Sequence, residues 1–211
     1  MEPRTAEHLS EVALYFENRI ERYGTTALGV DWNSEDRQRL SFRQIVRLFE
    51  RDQGFSVNDV GCGYGAFCGF VDEHYRDVSY FGCDISEAMI RGARSQYGNR
   101  PGTEFHRSHR PTREATYSIA SGVFNVRLGC DDERWRALIT ATLDAMFEHS
   151  TDGFAFNCLT TYADADKLKP RLFYADPCGM FDLCKRRYSR DVALLHDYGA
   201  YEFTMIVRKS G

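Results

Sequence analysis

The residues best suited to chemistry in this chain are a glycine-rich turn and the acids on either side of it. The sequence DVGCGYG occupies residues 59–65, and Asp84 follows nineteen residues later. Glycines have no Cβ, so their backbone can approach a bound ligand closely. A helix that starts after such a turn presents unpaired N–H groups and a partial positive charge. An acid roughly twenty residues further on can accept two hydrogen bonds from a ribose diol. The spacing predicts a nucleoside-binding site.

These residues need a strand, a turn, a helix and a second strand to bring them together. Apolar runs predict the first strand over residues 55–60 and the second over residues 78–83, with Asp84 at its end. A helix is predicted from about Ala66, directly after the glycines. Successive parallel strands end at the same edge of a sheet, so the glycine turn and Asp84 are expected to share one cleft.

The detail of the turn indicates which nucleoside fits. A dinucleotide fingerprint has the spacing G-x-G-x-x-G, but here the third glycine comes one residue early and Ala66 follows it. Asp59 would lie beside the ligand, where a carboxylate repels a pyrophosphate and suits an ammonium group. The NAD interpretation is therefore disfavoured.

The DVGCGYG turn, together with the sequence DIS at residues 84–86, resembles the class I S-adenosylmethionine-dependent methyltransferases. In that family the glycine loop wraps the methionine part of the cofactor, and the acid after the second strand binds the ribose. The resemblance implies S-adenosylmethionine as cofactor and S-adenosylhomocysteine as product. The residues expected to bind the cofactor are Asp59, Gly61, Cys62, Gly63, Gly65, Asp84, Ile85, Ser86, Ser108 and Ser121.

The rest of the chain fits the same architecture. Apolar residues at three- and four-residue steps predict a first helix over residues 9–23, and Ser34 can cap a second. Ser86 can cap a helix that runs to about Tyr97. The remaining predicted elements are strands at residues 104–106, 118–123 and 154–159, a helix over residues 135–146 ended by Gly153, and a terminal hairpin at residues 191–196 and 201–208.

Strands alternating with helices predict an α/β, Rossmann-like three-layer sandwich. We expect a seven-stranded, mostly parallel sheet whose last strand is antiparallel, preceded by N-terminal lid helices. One methyltransferase domain is predicted over residues 1–211, with a helical lid at residues 1–52 and the Rossmann-like core at residues 53–211.

The composition limits the possible substrates and the cellular location of the protein. The net charge of −4 over 211 residues gives no general attraction to nucleic acid. No apolar run approaches the length of a membrane span, and the N-terminal residues are charged rather than apolar. Seven cysteines without a CxxC pair predict reduced thiols in a cytoplasmic protein. No metal site is expected, because Cys178 and Cys184 have no histidine or second cysteine pair nearby.

The adenine contact is left open. The family often carries an acid after the third strand, whereas residues 105–111 contain no carboxylate. Either the Ser108 hydroxyl replaces it, or backbone groups and apolar packing hold the adenine. The same stretch is locally basic, which fits a solvated loop or a site for an anionic group, and His106 and His109 are open candidates.

The methyl acceptor is less well defined. Residues 121–127 follow the fourth strand and are expected to face the methyl donor, and they lack the Asn/Asp-Pro-Pro-aromatic motif of nucleic acid amine methyltransferases. No catalytic residue is assigned, and a structural role is expected for His196. The residues expected to contact the acceptor are Tyr23, Trp32, Asn125, Arg127, Tyr162 and Tyr174.

The function that follows is SN2 methyl transfer to an oxygen or nitrogen of a small molecule, in a bacterial biosynthetic pathway. Proximity and alignment supply most of such a rate enhancement, up to roughly 7–11 kcal/mol. The alternatives are a methyltransferase that acts on protein or RNA, a non-catalytic S-adenosylmethionine-binding protein and, less favoured, an NAD-dependent oxidoreductase. The oligomeric state stays open, with a homodimer through the N-terminal helices as one option.

Overall fold

The computed structural model describes the backbone of residues 3–209 and the side chains of residues 7–209. The helices are α1 (Pro3–Tyr23), α2 (Glu35–Ile45), α3 (Ala66–His74), α4 (Glu87–Tyr97), α5 (Asp132–Glu148) and α6 (Pro177–Arg187). The strands are β1 (Gln53–Val60), β2 (Arg76–Asp84), β3 (Thr103–Arg107), β4 (Ala115–Ala120), β5 (Ser150–Leu159), β6 (Asp191–Leu195) and β7 (Glu202–Arg208).

The strands form one seven-stranded sheet in the order β3-β2-β1-β4-β5-β7-β6. All strands run parallel except β7, which is antiparallel to β5 and β6. The strand order reverses between β1 and β4, and ligands bind at the carboxyl ends of strands beside such a reversal. The predicted fold class, an α/β Rossmann-like sheet with an antiparallel last strand, is confirmed.

Two apolar layers cover the sheet. On one face α3 and α4 pack against β2 and α2 packs against β5 and β7, with Ile45, Cys68 and Ile90 fully buried. On the other face α5 and α6 pack against β5 and β7, with Leu143 and Cys184 fully buried. The inner strands β1, β2, β4, β5 and β7 bury side chains on both faces, as strands covered by helices on both sides do, whereas the edge strands β3 and β6 do not.

Side-chain caps explain where several helices begin. Ser34 accepts a hydrogen bond from the Arg37 N–H at the start of α2, and Ser86 accepts one from the Met89 N–H at the start of α4. Such caps satisfy backbone N–H groups that have no partner within the helix. Both serines have the capping role that the sequence indicates.

The fourth strand was predicted three residues too late. It spans Ala115–Ala120, and the predicted strand residues 121–123 lie in the loop that follows. The register with β1 ends at Ile119, and Gly122 then adopts a φ of +75°, which turns the chain out of the sheet. Residues 121–123 are consequently available to line a cleft.

The prediction that Gly153 ends α5 was wrong. The helix ends at Glu148, and β5 begins at Ser150, four residues earlier than predicted. Gly153 lies inside β5 with a φ of +149°. A Cβ at Gly153 would overlap the backbone carbonyl oxygen of Val207 on β7, so only glycine lets the two strands approach here.

The sequence interpretation missed α6, which lies between the fifth strand and the terminal hairpin in a stretch to which no helix was assigned. Asp176 caps the helix by accepting bonds from the N–H groups of Cys178 and Gly179, and Pro177 occupies its first turn. An acid followed by proline is a recognised helix start, so the signal was present in the sequence.

Within the described residues 3–209, no helix is both long and apolar enough to span a membrane. All seven cysteines are free thiols, and five of them, Cys62, Cys68, Cys83, Cys158 and Cys184, are buried.

We predict that Gly153→Ala lowers the free energy of unfolding by about 3 kcal/mol, because the new methyl group meets the β7 backbone at a φ that other residues rarely adopt. Gly129→Ala is the matched control, since a Cβ there has no neighbour within 4 Å. Its effect should stay within about 0.5 kcal/mol. Urea denaturation of both variants measures the difference, and equal stabilities would show that the strand pairing at Gly153 is misassigned.

Candidate active site

The glycine turn joins the end of β1 to the end of β2. The N–H groups of Gly61 and Cys62 both donate to the Cys83 carbonyl oxygen, at 2.7 and 3.0 Å. Gly61 has a φ of +71°, and a Cβ at this position would overlap the Val123 side chain. Glycine is therefore needed at Gly61 both for its backbone conformation and for the close approach of the loop after β4.

Asp84 holds the turn in place from the end of β2. One carboxylate oxygen accepts from the Gly63 N–H at 2.9 Å, and the other accepts from the Ser86 N–H at 2.8 Å. Burial raises the pKa of Asp84 to about 6, although these backbone N–H groups oppose the rise. A carboxylate has about four lone-pair sites, so Asp84 can still accept bonds from a ligand.

Asp59 is a second buried carboxyl group beside the same turn. Only 2% of the residue is exposed, and the Tyr80 hydroxyl donates to it. Burial, with a smaller contribution from the nearby Asp84 charge, raises the pKa of Asp59 to about 8, against the lowering effect of the Tyr80 bond. Neither acid forms an ion pair within residues 7–209. Such a pair suits a cation and a hydroxyl-rich group.

A narrow first cavity of 120 Å³ lies at the carboxyl ends of β1, β2 and β4. The predicted residues that line it are Asp59, Gly61, Cys62, Gly63, Asp84, Ile85, Ser108 and Ser121. The Ser121 hydroxyl is buried and has no partner within the described residues, which leaves a polar contact for a ligand. The Ser108 hydroxyl instead donates to the Arg110 carbonyl oxygen at 2.7 Å.

Two residues predicted to bind the cofactor do not line this cavity. Gly65 caps α3 with a φ of +87°, and the Tyr97 ring packs directly against it. Ser86 is fully buried and its hydroxyl caps α4. Both residues set the geometry of the loops around the cavity. Each occupies its position in the motif because it begins a helix, and neither is exposed to the cavity.

The N-terminal helix forms one wall of the first cavity through Leu9, Val12 and Phe16. These residues lie on the apolar face predicted for the first helix. The opposite wall comes from α5, through Trp135, Leu138 and Thr142. The sequence interpretation placed these α5 residues on one helix face but did not assign them to a site.

A wider second cavity of 860 Å³ adjoins the first. The residues that line both cavities are Phe16, Val30, Trp32 and Gly122. Gly122 lies so close under the Trp32 ring that an added Cβ would be 3.2 Å from a ring carbon. The Trp32 ring packed on Gly122 therefore lies at the boundary between the two cavities.

Four of the residues predicted to contact an acceptor, Trp32, Asn125, Tyr162 and Tyr174, line the second cavity. Tyr23 and Arg127 do not. Tyr23 ends α1, where the Arg19 and Arg22 guanidinium groups lie over its ring. Arg127 is held by the Asp132 carboxylate and the Cys130 carbonyl oxygen, so its charge is already paired.

Asp31 holds the N-terminal segment over the second cavity. Its carboxylate accepts from the Tyr15 hydroxyl at 2.9 Å and from Arg171 at 3.1 Å, and it pairs with Arg19 at 3.2 Å. These contacts join α1 to the segment that follows β5. Because Trp32 is the next residue, they also fix the ring that lies on Gly122.

The loop after β4 is tied to β5 by two asparagines. The Asn125 side-chain oxygen accepts from the Leu159 N–H at 3.1 Å, and the Asn157 side-chain oxygen accepts from the Gly122 N–H at 2.7 Å. Asn157 is fully buried, and its NH₂ group has no partner within the described residues. The sequence interpretation missed Asn157 because nothing local marks its contact with Gly122.

The second cavity also contains a buried acid that the sequence interpretation missed. Glu202, the first residue of β7, is 5% exposed, and the Ser41 hydroxyl of α2 donates to it. Burial raises the pKa of Glu202 to about 7, although the Ser41 bond and the Arg37 charge lower it. The partners are distant in sequence, so no motif could have indicated the contact.

Comparison with known proteins supports a methyl-transfer site. Residues 57–146 match the family model described as "Methyltransferase domain". The chain is 52% identical over 165 residues to the Mycobacterium tuberculosis (strain ATCC 25618 / H37Rv) protein named "Putative methyltransferase Rv1506c", an alignment that covers 78% of this chain and 99% of the relative.

Solved structures share the fold. The magnesium protoporphyrin IX methyltransferase of Synechocystis PCC 6803 with bound S-adenosylhomocysteine superposes with a TM-score of 0.68 at 16% identity, over 96% of this chain and 100% of that one. A DhpI–S-adenosylhomocysteine complex superposes with a TM-score of 0.65 at 14% identity, over 97% of both chains.

The glycine turn, its two buried acids and the close relative lead to one conclusion. The chain belongs to the class I S-adenosylmethionine-dependent methyltransferase family, and S-adenosylmethionine is its cofactor.

Proposed function

We propose that this methyltransferase transfers the methyl group to an oxygen or nitrogen of a small molecule held in the second cavity. The observation that carries the proposal is the junction of the two cavities at Trp32 and Gly122. A cavity of 860 Å³ is within the range of small-molecule sites, about 300–1,000 Å³. The net charge of −4 also disfavours a nucleic acid substrate.

The first cavity has the side chains that the cofactor needs. We assign the ribose diol to Asp84 and the methionine ammonium group to Asp59, the two buried acids that line the first cavity. The free Ser121 hydroxyl supplies a further polar contact. For the adenine we propose packing on Ile85 and Met89, because the Ser108 hydroxyl is engaged by Arg110.

S-adenosylmethionine supplies a methyl group on a sulfonium centre, and the chain supplies alignment and exclusion of water. We assign the lid to residues 1–52 and the core to residues 53–211. Phe16, Val30 and Trp32 of the lid line both cavities, so the N-terminal segment covers both of them. This enclosure orients the acceptor for in-line attack on the methyl group and excludes water. The seven free thiols favour a reducing compartment, the cytoplasm.

A turnover screen tests the proposed function. Purified protein is incubated with S-adenosylmethionine and a panel of small phenols, alcohols, amines and carboxylic acids, with a peptide mixture and total RNA as parallel arms. We expect S-adenosylhomocysteine to form with at least one small acceptor. Product from the peptide or RNA arm alone would support a macromolecular substrate, and cofactor binding without product in any arm would support a non-catalytic role.

We predict that Asp84→Asn weakens S-adenosylmethionine binding by roughly 10- to 100-fold, since one or two charged hydrogen bonds to the ribose are lost. Asp72→Asn is the control, because Asp72 is an exposed acid of α3 that pairs with Arg100. Isothermal titration calorimetry measures both affinities. Wild-type affinity in Asp84→Asn would remove the ribose assignment.

Asp59 predicts a linked proton. Its pKa of about 8 leaves the carboxyl mostly protonated at pH 7 in the free protein. A bound ammonium group stabilises the carboxylate and lowers that pKa, so binding should release close to one proton at pH 7 and affinity should rise between pH 6 and pH 8. Calorimetry in buffers with different ionisation enthalpies counts the proton. Asp59→Asn should abolish the release, and a release that persists there would assign the proton elsewhere.

A further inference from the structure

Methyl transfer to an O–H or N–H group produces a proton that must leave the acceptor. The bond between the methyl carbon and the new oxygen or nitrogen forms as the bond to sulfur breaks, and the sulfur keeps the electron pair. The acceptor's proton then needs a base, either a side chain or water. The ionisable residues of the second cavity decide which base is available.

Most of these residues are already engaged or exposed. The Asp31 carboxylate is occupied by Tyr15, Arg19 and Arg171. Asp166 is 70% exposed and paired with Lys167. His196 is exposed, and its ring packs against Tyr162 and Phe203.

Glu202 differs from all of these residues. It is the buried carboxyl group among the described residues that line the second cavity, and one of its oxygens accepts from the Ser41 hydroxyl. Its other oxygen has no hydrogen-bond partner within the described residues. A buried acid with one free oxygen that faces a cavity can accept a proton from a ligand in that cavity.

The position of Glu202 also suits this role. It pairs with Leu159 across β5 and β7, about 5 Å between Cα atoms in such a pair. Leu159 in turn bonds to the Asn125 side chain, and both line the second cavity. Glu202 therefore lies one strand away from the loop after β4, whose Gly122 lines both cavities.

We propose that Glu202 contacts the nucleophilic O–H or N–H of the acceptor and takes its proton during methyl transfer. The proposal rests on the proposed function, because it needs an acceptor in the second cavity. Ser41 is then a positioning residue that orients the carboxylate from α2. After transfer, the proton leaves Glu202 for solvent through the mouth of the cavity.

The groups around Glu202 allow its titration to be distinguished from that of its neighbours. Those that interact with it electrostatically are Arg37 of α2, Cys158 of β5 and Tyr198 of the turn before β7. Burial raises the pKa values of Cys158 and Tyr198, so both stay neutral near pH 7. Glu202, with a pKa of about 7, changes its charge between pH 6 and pH 8, whereas these two neighbours do not.

We predict that Glu202→Gln lowers kcat by about 10²- to 10⁴-fold, the usual contribution of a general base. The wild-type rate should fall as pH drops below about 7, and the variant should lose this acidic limb. The affinity for S-adenosylmethionine should stay within about twofold. The measurement is the pH dependence of kcat and KM with the best acceptor from the turnover screen.

Two further variants separate catalysis from structure. Ser41→Ala removes a bond that lowers the pKa of Glu202, so it should keep the acidic limb, shift it to higher pH, and retain most of kcat at pH 9. Asp182→Asn removes an exposed charge of α6 that lines neither cavity, and it should leave kcat within about twofold. Equal losses in Ser41→Ala and Glu202→Gln, with an unchanged pH profile, would show that Glu202 only anchors α2.

Folding of the variant is checked by its melting temperature. The pKa of Glu202 is raised from 4.5 to about 7, so folding binds a proton that the unfolded chain releases, and wild-type stability falls as pH rises through this window. Glu202→Gln should therefore melt at or above the wild-type temperature at pH 8. Glu202→Asp, which keeps the acid, should recover part of the lost rate and the acidic limb.

A second readout needs no acceptor. Carbon-detected NMR of carboxyl-labelled protein loaded with S-adenosylhomocysteine follows the Glu202 carboxyl, identified by its absence in Glu202→Gln. A midpoint above pH 6 supports the proposal, and a midpoint near 4.5 overturns it. A screen that yields no product would count against the proposed function, whereas product formation with full activity in Glu202→Gln would overturn only the role of Glu202.

Discussion

The Asp84 carboxylate is the contact on which the cofactor end of the structure depends. By accepting the N–H groups of Gly63 and Ser86, it joins the turn after β1 to the start of α4. The turn is also bonded to the Cys83 carbonyl oxygen, so two neighbouring strands end in one rigid loop. The burial that makes this loop rigid also raises the pKa of Asp84, and of Asp59 beside it. A bound ligand with a cation and a diol would stabilise both carboxylates and lower their pKa values. Part of the free energy of ligand binding would therefore come from these two acids.

The second cavity depends on a different kind of contact, in which distant segments meet. Asp31 and Arg171 are separated by 140 residues, and Ser41 and Glu202 by 161. The first contact fixes the N-terminal segment to the connection after β5, and the second fixes α2 to β7. Together the two contacts hold the N-terminal helices α1 and α2 against the C-terminal part of the fold, after β5 and at β7. The second cavity exists because these two contacts hold the N-terminal segment across the carboxyl ends of the strands.

This difference explains what the sequence could predict. The turn at residues 59–65, Asp84 and the alternation of strands and helices are local, so the fold class and the place of the turn and of Asp84 at the first cavity follow from spacing. The extent of β4 depends on where its pairing with β1 stops, and Gly153 belongs to β5 because of its contact with β7. Arg127 looked free in the sequence, but Asp132 neutralises it. Glu202 and Asn157 have no local signal at all, because each acquires its role from a partner on another element.

The placement of charge is consistent with the chemistry of a sulfonium methyl donor. Positive charge disappears during the transfer, so a carboxylate beside the sulfur would stabilise the ground state more than the transition state and slow the reaction. The residues shared by the two cavities, Phe16, Val30, Trp32 and Gly122, carry no charge. The two acids of the first cavity lie at the ends of β1 and β2, where they suit the ammonium group and the ribose. The two acids of the first cavity are therefore suited to the ends of a cationic cofactor, and the residues shared by the two cavities add no negative charge beside a sulfonium.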